Sequence, residues 1–326
     1  MVIGGEVLGK GTYGCVYDGK PIGKKTKKNK LVKLMINKID WIKELDNLSK
    51  IKKIGNTNSI TNESSLETII KKMDPEDIKN LNECEFADVQ KIYEIIYDQI
   101  TKGITLDKIY DDNILDMKSI FKLSCELYFT INKYSHNKLI HNDIKTNNII
   151  YIPNKNKLYF IDFGILKTFD DFKPSYSWYR PPECLLYNCF NENKSKEFFI
   201  KYFFSLIKDF APVYSSFYDF YPLKDSIKDL EDLYDYYENK LKYTSLDKIF
   251  TDKDKSKIDT YMLSLTLYYL YILYYDYKYI NDNNYNKYLE NFVNTIIVPG
   301  LRFNNQKRLN LNDKKVIDFL KKIHFN

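Results

Sequence analysis

Short apolar runs separated by polar clusters are the main pattern in the middle of this chain. Three of them lie close together, at Leu139–Ile140, Ile149–Tyr151 and Leu158–Ile161. Short apolar runs bounded by polar or turn-forming residues are typical of buried strands. We therefore expect rigid strands here, with the polar residues of 141–148 and 162–164 on the loops that connect them.

Elsewhere the apolar residues recur at helical spacing. This pattern predicts helices near 38–53 and 116–135, and a helical insertion between residues 55 and 84 on the strength of Leu66, Ile69, Ile70 and Met73. The run Thr260–Tyr275 holds sixteen uncharged residues between Asp259 and Asp276. A membrane span needs about 18 to 20 such residues, so we expect a buried core helix there instead.

The polar loops carry residue types suited to phosphoryl transfer. They hold Asp143, Lys145, Asn148 and, fourteen residues after Asn148, Asp162. Phosphoryl transfer needs a carboxylate for the accepting hydroxyl, an ammonium for the moving phosphate, and an amide oxygen with a second carboxylate for magnesium. Each residue alone could belong to a solvated turn, and only their conjunction points to a site.

A glycine-rich segment near the start of the chain adds a candidate phosphate-binding loop. Glycines let a backbone approach phosphates closely, and Val16 can lie on a purine ring. A hairpin turn or a dinucleotide site would also fit, but the second needs a helix directly after the glycines. The residues are Leu8, Gly9, Lys10, Gly11, Thr12, Tyr13, Gly14, Cys15 and Val16.

Taken together, these motifs resemble the eukaryotic-type protein kinase superfamily. The resemblance extends to Leu31–Lys33 as the strand with the phosphate-binding lysine, to Glu44 as the ion-pair partner of Lys33, and to Ser177–Glu183 as the close of an activation segment. It implies an α+β, bilobal protein-kinase-like fold with a small β-rich N-lobe and a large helical C-lobe. Arg308 is expected to pair with Glu183, and Asp259 to hold the catalytic-loop backbone.

The same resemblance implies a domain organisation. One protein kinase domain spans 1–326, with an N-lobe at 1–97, a hinge at 98–103 and a C-lobe at 104–326. Tyr97 would lie at the back of the adenine pocket, and the backbones of Asp98 and Ile100 would bind the purine. Between Glu183 and Asp259 the chain is about sixty residues longer than is usual in the family, so we expect an insertion at about 187–256.

This insertion has two segments of helical periodicity, around 198–206 and 227–241. Two helices packed on the large lobe would explain them. A docking surface for a substrate or a regulator is the alternative, and the sequence does not decide between them.

The resemblance implies an ATP-dependent serine/threonine protein kinase that uses Mg²⁺. Asp143 and Lys145 would act with Lys33 and Glu44 in catalysis, and Asn148 and Asp162 would hold the metal. Two departures from the family pattern stand out: Tyr176 replaces a threonine, with Ser175 and Ser177 beside it, and Asn142 replaces an arginine that pairs with a phosphorylated residue. A pseudokinase that only binds partners, and a small-molecule phosphotransferase, are the alternatives.

Composition adds constraints on partners and compartment. The net charge is +6, with 50 basic and 44 acidic residues. The lysines of 24–30 have no alternating aromatic residues for stacking on bases, so we expect no nucleic-acid partner. Five cysteines without C-x-x-C spacing, and no room for a leader peptide, favour a cytosolic or nuclear protein without a zinc site. Heavy use of Lys, Asn, Ile and Tyr resembles the composition of kinases of large DNA viruses.

Overall fold

The structure is a computed structural model of the 326-residue chain. It describes residues 6–11, 14–18, 31–69, 84, 91–97, 103–112, 114–175, 177, 179–208, 223–278 and 283–325. The chain divides into two compact units, Met1–Thr105 with Ile149–Ile165, and Leu106–Asn148 with Leu166–Asn326. The first unit is built mainly on β-strands and the second is mostly helical, which confirms the predicted α+β fold.

The predicted boundaries differ from these units in two segments. Residues 104–105 and 149–165, which the sequence prediction assigned to the large lobe, group with the first unit. The strands are β1 (Glu6–Gly11), β2 (Gly14–Asp18), β3 (Leu31–Met35), β4 (Asn62–Ile69), β5 (Lys91–Tyr97), β6 (Ile104–Thr105), β7 (Leu139–Ile140), β8 (Ile149–Ile152), β9 (Lys157–Phe160) and β10 (Lys167–Thr168).

The described residues form the following α-helices in chain order. They are α1 (Lys38–Ile54), α2 (Leu106–Asp111), α3 (Met117–His136), α4 (Pro182–Asn191), α5 (Lys196–Lys208), α6 (Leu223–Leu241), α7 (Asp252–Lys255), α8 (Ile258–Lys278), α9 (Asn283–Phe292), α10 (Val298–Gly300) and α11 (Lys314–Phe325). A π-helical stretch, Val293–Ile297, joins α9 to α10.

The first unit contains an antiparallel sheet in the order β1-β2-β3-β5-β4. Gly14, where β2 begins, shows why a glycine is required in the hairpin between β1 and β2. Its φ is +153°, and a Cβ built there would lie 2.1 Å from the carbonyl oxygen of Leu34 on β3. Any side chain would therefore push the hairpin away from β3, the strand that carries Lys33.

Helix α1 matches the helix predicted near 38–53. Asn37 caps it, because its side-chain oxygen accepts hydrogen bonds from the backbone N–H groups of Ile39 at 2.8 Å and Asp40 at 3.4 Å. Glu44 and Leu48 lie on its buried face. The cap and the buried face together fix the position of Glu44 in the unit.

The helical insertion predicted from Leu66, Ile69, Ile70 and Met73 is wrong for the residues that the structure describes. Residues 62–69 form β4, which pairs with β5 along its length, and residues 70 and 73 lie outside the described residues. Helical spacing over four apolar residues is a weak signal, and pairing with β5 outweighed it.

The short buried strands predicted around the polar loops are confirmed as β7, β8 and β9. In the first unit, β8 pairs with β9 and with β6. In the second unit, β7 pairs with β10, which places residues 141–148 directly after a paired strand. The polar residues therefore follow rigid backbone, as expected.

Helix α8 is the buried helix predicted at Thr260–Tyr275, and it lies in the core of the second unit. Among the described residues, no helix is long and apolar enough to cross a membrane. Gly300 packs directly against this helix, because a Cβ on Gly300 would lie 2.0 Å from the hydroxyl oxygen of Ser264. The same oxygen contacts the Tyr128 hydroxyl at 2.9 Å.

The two helices predicted in the insertion are confirmed as α5 and α6. Phe199 and Phe203 on α5 and Tyr237 on α6 are buried, whereas Phe198 and Tyr202 on α5 are each 42% exposed. The described helices of the insertion therefore pack into the second unit.

Cys15 on β2 is joined to Cys84 by a disulfide, with 6.2 Å between their Cα atoms. The sequence analysis did not predict this pair. Cys125, Cys184 and Cys189 are free and buried. The predicted compartment stays a prediction.

Candidate active site

The first cluster of predicted site residues lies in the first unit and centres on Lys33. Its ammonium donates to both carboxylate oxygens of Glu44, at 2.9 and 2.7 Å, and to Oδ1 of Asp162 at 3.2 Å. Strand β3 places Lys33, α1 places Glu44, and the loop after β9 places Asp162. The spacing of eleven residues between Lys33 and Glu44 thus allows a direct ion pair.

Burial strengthens the attraction between the charged groups of this cluster. Lys33 is 5% exposed and Glu44 is fully buried. Burial alone would lower the pKa of Lys33, but the carboxylates of Glu44 and Asp162 outweigh it and raise the pKa above the ordinary value. The lysine therefore stays an ammonium, which is the form that binds phosphate.

Sequence reasoning missed a fourth member of this cluster. The hydroxyl of Tyr97, on β5, donates to Oε1 of Glu44 at 3.0 Å. Burial, and then the nearby Glu44 carboxylate, raise the pKa of Tyr97 well above its ordinary value, so the phenol keeps its proton. The sequence placed Tyr97 at the end of a strand, but it carried no signal for this contact.

Asp162 has a left-handed backbone, with φ of +60°. Residues other than glycine adopt this conformation at a cost of about 1–3 kcal/mol, and such residues cluster at functional sites. Its Oδ1 also accepts a longer bond from the backbone N–H of Gly164 at 3.4 Å. The side chain remains 36% exposed. Its carboxylate is thus held in place while part of it faces solvent.

The second cluster lies in the second unit and centres on Asp143. Asn148 donates its amide N–H groups to Oδ2 of Asp143 at 2.7 Å and to the backbone oxygen of Asp143 at 2.8 Å. Lys145 donates to Oδ1 at 3.3 Å and lies 3.1 Å from Oδ2. The structure therefore brings together three of the predicted polar groups within one loop.

Asp259, at the start of α8, holds the backbone of this loop. Its carboxylate accepts hydrogen bonds from the N–H groups of His141 at 2.7 Å and Asn142 at 3.0 Å. Burial raises the pKa of Asp259 to about 6, although the two N–H donors and Arg180 act in the opposite direction. Asn142 has φ of +67°, a conformation that Asn tolerates better than most residues.

A tyrosine for which the sequence predicts no contact also reaches the loop at 141–148. The hydroxyl of Tyr179 donates to Oδ1 of Asp143 at 2.7 Å. The ammonium of Lys145 lies 5.7 Å from the centre of the Tyr179 ring. Thirty-six residues separate Tyr179 from Asp143, so only the fold brings them together.

Two arginines fix the segment around Tyr179. Arg180 donates to the backbone oxygen of Ser175 at 2.7 Å, to the Ser175 hydroxyl, and to the backbone oxygen of Asn142 at 3.2 Å. Arg308 binds Glu183 with two bonds of 2.5 and 2.9 Å, which confirms the predicted pair. Both members of that pair are buried, so it is a structural contact.

The other predicted nucleotide-binding residues are described only in part. Leu8, Gly9, Lys10 and Gly11 lie on β1, and Gly14, Cys15 and Val16 lie on β2. Thr12, Tyr13, Asp98 and Ile100 lie outside the described residues, as does Tyr176. The predicted contacts to the purine therefore stay a prediction.

The oxygen donors of Asp162 and Asn148 are of the kind that Mg²⁺ prefers. The Asp162 carboxylate is partly exposed, and the amide nitrogen of Asn148 is engaged by Asp143. The amide oxygen of Asn148 is thus the atom that can bind a cation. Each residue by itself therefore offers an oxygen donor that is suited to a divalent cation.

Comparison with known proteins identifies the family of this chain. The protein kinase domain model matches residues 3–198, which is more than half of the chain. The chain belongs to the protein kinase domain family. Membership implies the use of ATP and a divalent metal in general terms.

Two curated relatives of this kinase are similar to it over a shorter region. They are calcium-dependent protein kinase 3 of Plasmodium yoelii yoelii and calcium-dependent protein kinase 3 of Plasmodium berghei (strain Anka), each 29% identical over 169 residues. The match covers 51% of this chain but only 27% and 26% of the two relatives. The chain therefore matches about a quarter of their length.

Proposed function

We propose that this kinase transfers the γ-phosphate of ATP to a serine or threonine hydroxyl of a protein. The observation that carries the proposal is the loop in which Asp143 is contacted by Lys145 and Asn148. A carboxylate within reach of an ammonium and an amide is the arrangement that phosphoryl transfer requires. The proposal also draws on the ion pair of Lys33 with Glu44 in the first unit.

Each residue has one role in the proposed reaction. Asp143 orients the substrate hydroxyl and accepts its proton as the oxygen attacks the γ-phosphorus and the bond to the β-phosphate breaks. Lys33, held by Glu44, binds the α- and β-phosphates. Lys145 balances the negative charge on the γ-phosphate.

Magnesium, when bound, neutralises charge on the phosphates, and we propose that Asn148 and Asp162 hold it. The glycine-rich strands β1 and β2 would cover the phosphates. Preference for serine or threonine is supported by Lys145, because a lysine two residues after the catalytic aspartate resembles serine/threonine kinases.

The transfer is tested with labelled ATP, magnesium and generic basic and acidic protein substrates. Asp143→Asn should lower the rate by ~10²- to 10⁴-fold, the usual contribution of a positioned base, and leave nucleotide affinity nearly unchanged. Phosphoamino-acid analysis of the product identifies whether serine, threonine or tyrosine carries the phosphate. Equal rates for the wild type and the variant would contradict the proposed role of Asp143.

A binding measurement separates this function from a pseudokinase. Thermal stabilisation by ATP with magnesium should grow as RT ln(1 + [L]/Kd). Stabilisation without any transfer on any substrate would favour the pseudokinase, and transfer to a small molecule alone would favour the small-molecule phosphotransferase. The contact of Asp143 with Lys145 and the family match both support the protein kinase.

Four further points are proposals. The insertion at 187–256 could be a docking surface, which the exposed Phe198 and Tyr202 support, and loss of transfer to one substrate in Phe198→Ser would test it. The proposed cytosolic or nuclear location rests on composition, and localisation of the tagged chain tests it. The proposed likeness to kinases of large DNA viruses also rests on composition. The lobe boundaries at 97 and 104 are tested by limited proteolysis.

A further inference from the structure

The carboxylate of Asp143 accepts one short hydrogen bond on each oxygen. Tyr179 donates to Oδ1 and Asn148 to Oδ2, both at 2.7 Å. Lys145 spans the two oxygens with longer contacts of 3.3 and 3.1 Å. Two short bonds on different oxygens fix the rotation of a carboxylate, because turning it lengthens both.

The three donors are not equally fixed. Asn148 is tied down by its second bond, to the backbone oxygen of Asp143. The Lys145 side chain is 40% exposed. In the proposed function, on which this inference rests, Lys145 turns to the γ-phosphate. When Lys145 turns away, it frees a hydrogen-bonding position on the Asp143 carboxylate. A substrate hydroxyl can then bind at that position.

Tyr179 is held from the backbone on its C-terminal side. Its neighbour Arg180 is 6% exposed and joins the backbone oxygens of Ser175 and Asn142. The Tyr179 ring itself is only partly exposed. Burial, and then the bond to Asp143, raise the pKa of Tyr179, so the hydroxyl stays a donor.

We propose that Tyr179 is a positioning residue for Asp143, which keeps the carboxylate oriented when Lys145 turns to the phosphate. The hydroxyl of Ser175, one of the two serines beside Tyr176, accepts a hydrogen bond from Arg180. Tyr179 instead supplies the hydroxyl that reaches Asp143. The opposite role, in which the hydroxyl blocks the base, is an outcome of the test below.

The test compares steady-state kinetics of Tyr179→Phe with the wild type, using ATP, magnesium and a protein substrate. We expect kcat to fall about 10- to 100-fold with an unchanged KM for ATP, because a misplaced catalytic group affects the chemical step. Tyr187→Phe is the matched control. Tyr187 also donates to an aspartate, Asp247 at 3.2 Å, but on the exposed surface of the same unit.

A double variant shows whether Tyr179 acts through Asp143. Adding Tyr179→Phe to Asp143→Asn should cause no further loss, since the contact is already altered in the single variant. Where Tyr179→Phe folds poorly, 4-aminophenylalanine in place of Tyr179 keeps the ring and a donor. It should restore most of kcat.

The outcomes separate this inference from the proposed function. Full activity in Tyr179→Phe, together with an inactive Asp143→Asn, overturns the positioning role and leaves the proposed function intact. A rise in kcat/KM for the protein substrate also overturns it and shows that the hydroxyl blocks the base. Additive losses with a lower unfolding temperature assign Tyr179 a structural role only. An active Asp143→Asn contradicts the proposed function itself.

Discussion

Lys33 in the first unit and Lys145 in the second both contact carboxylates, but they differ in how tightly they are held. The Lys33 side chain is 7% exposed and makes three carboxylate contacts, the closest at 2.7 Å. Lys145 is 40% exposed, and its nearest carboxylate oxygen lies 3.1 Å away. A buried ion pair with several bonds is fixed, whereas an exposed pair exchanges with water. The first lysine is suited to hold a ligand and the second to move.

The largest effect should come from breaking the buried pair. Lys33→Met leaves Glu44 buried without its ammonium, and removing one partner of a buried ion pair typically costs about 3–5 kcal/mol. We expect the free energy of unfolding of the first unit to fall by about that amount, with loss of productive ATP binding. Chemical denaturation and nucleotide-induced stabilisation measure the two effects.

Lys91→Met is the control for that change. Lys91 lies in the same unit and contacts Glu67 at 2.8 Å, but both side chains are substantially exposed. It should leave unfolding and ATP binding unchanged. Lys145→Met tests the other lysine of the comparison. It should lower kcat without changing the free energy of unfolding. Similar losses of stability for Lys33→Met and Lys145→Met would contradict the difference drawn between the two lysines.

The next effect concerns the support of the catalytic loop. Asp259→Asn replaces one accepting oxygen by an amide N–H₂ group, so one of the N–H groups of His141 and Asn142 loses its acceptor. A buried unpaired donor costs about 1–3 kcal/mol, and denaturation at pH 7 should show a loss in this range. Asp116→Asn, at the exposed start of α3, should have little effect, because Asn also caps helices.

The pH dependence gives an independent check on Asp259. Its folded pKa of about 6 is above the ordinary value of 3.8, so the folded protein binds the proton more tightly than the unfolded chain. The contribution of this group to stability is full below pH 3.8 and is lost as pH rises to about 6. The stability of the wild type relative to Asp259→Asn should therefore decrease over that window. A flat difference would contradict the raised pKa.

A smaller effect is expected from Tyr97→Phe. This change removes one of the hydrogen bonds to Glu44 but leaves the bonds from Lys33, so we expect a loss of about 1 kcal/mol. Tyr151→Phe is the control, since the Tyr151 hydroxyl bonds to Asn156 in the same unit, away from Lys33. The free energies of unfolding of the two variants would be compared. An equal loss in both would contradict a specific contribution of the bond between Tyr97 and Glu44.

The smallest effect should follow phosphatase treatment. Asn142 carries no charge to pair with a phosphate, and Arg180 already ties Ser175 to the backbone of Asn142. We predict that activity does not depend on phosphorylation at Thr168, Ser175, Tyr176 or Ser177. Dephosphorylated enzyme, verified by mass spectrometry, should keep its initial rate. A large drop that rephosphorylation reverses would show the opposite.

The sequence predicted the parts of this kinase in which chemistry and local pattern agree. Apolar runs gave β7, β8 and β9, and helical spacing gave α1 and α8, because each pattern is long or is bounded by polar residues. The pattern at residues 62–69 failed. There the helical spacing rests on only four apolar residues, and pairing with β5 outweighed it.

The contacts of Tyr97 and Tyr179 were not predictable for a different reason. Each hydroxyl reaches a carboxylate that lies 53 or 36 residues away along the chain. Both residues were assigned to known motifs, Tyr97 at the back of the adenine pocket and Tyr179 in the activation segment. A motif predicts the backbone position, but the partner of a long polar side chain depends on the packing of several elements.

The bond between Cys15 and Cys84 closes a covalent loop with a sequence separation of 69 residues, and this loop contains β3, α1 and β4. By the chain-entropy account such a loop restricts the unfolded ensemble by about 4 kcal/mol. The folded unit therefore has two possible unfolded states, a linear chain when the disulfide is reduced and a chain with a closed loop when it is intact. Unfolding curves recorded with and without a thiol reductant therefore refer to different unfolded chains. The difference between the two free energies of unfolding measures the effect of the closed loop, not a property of the candidate active site.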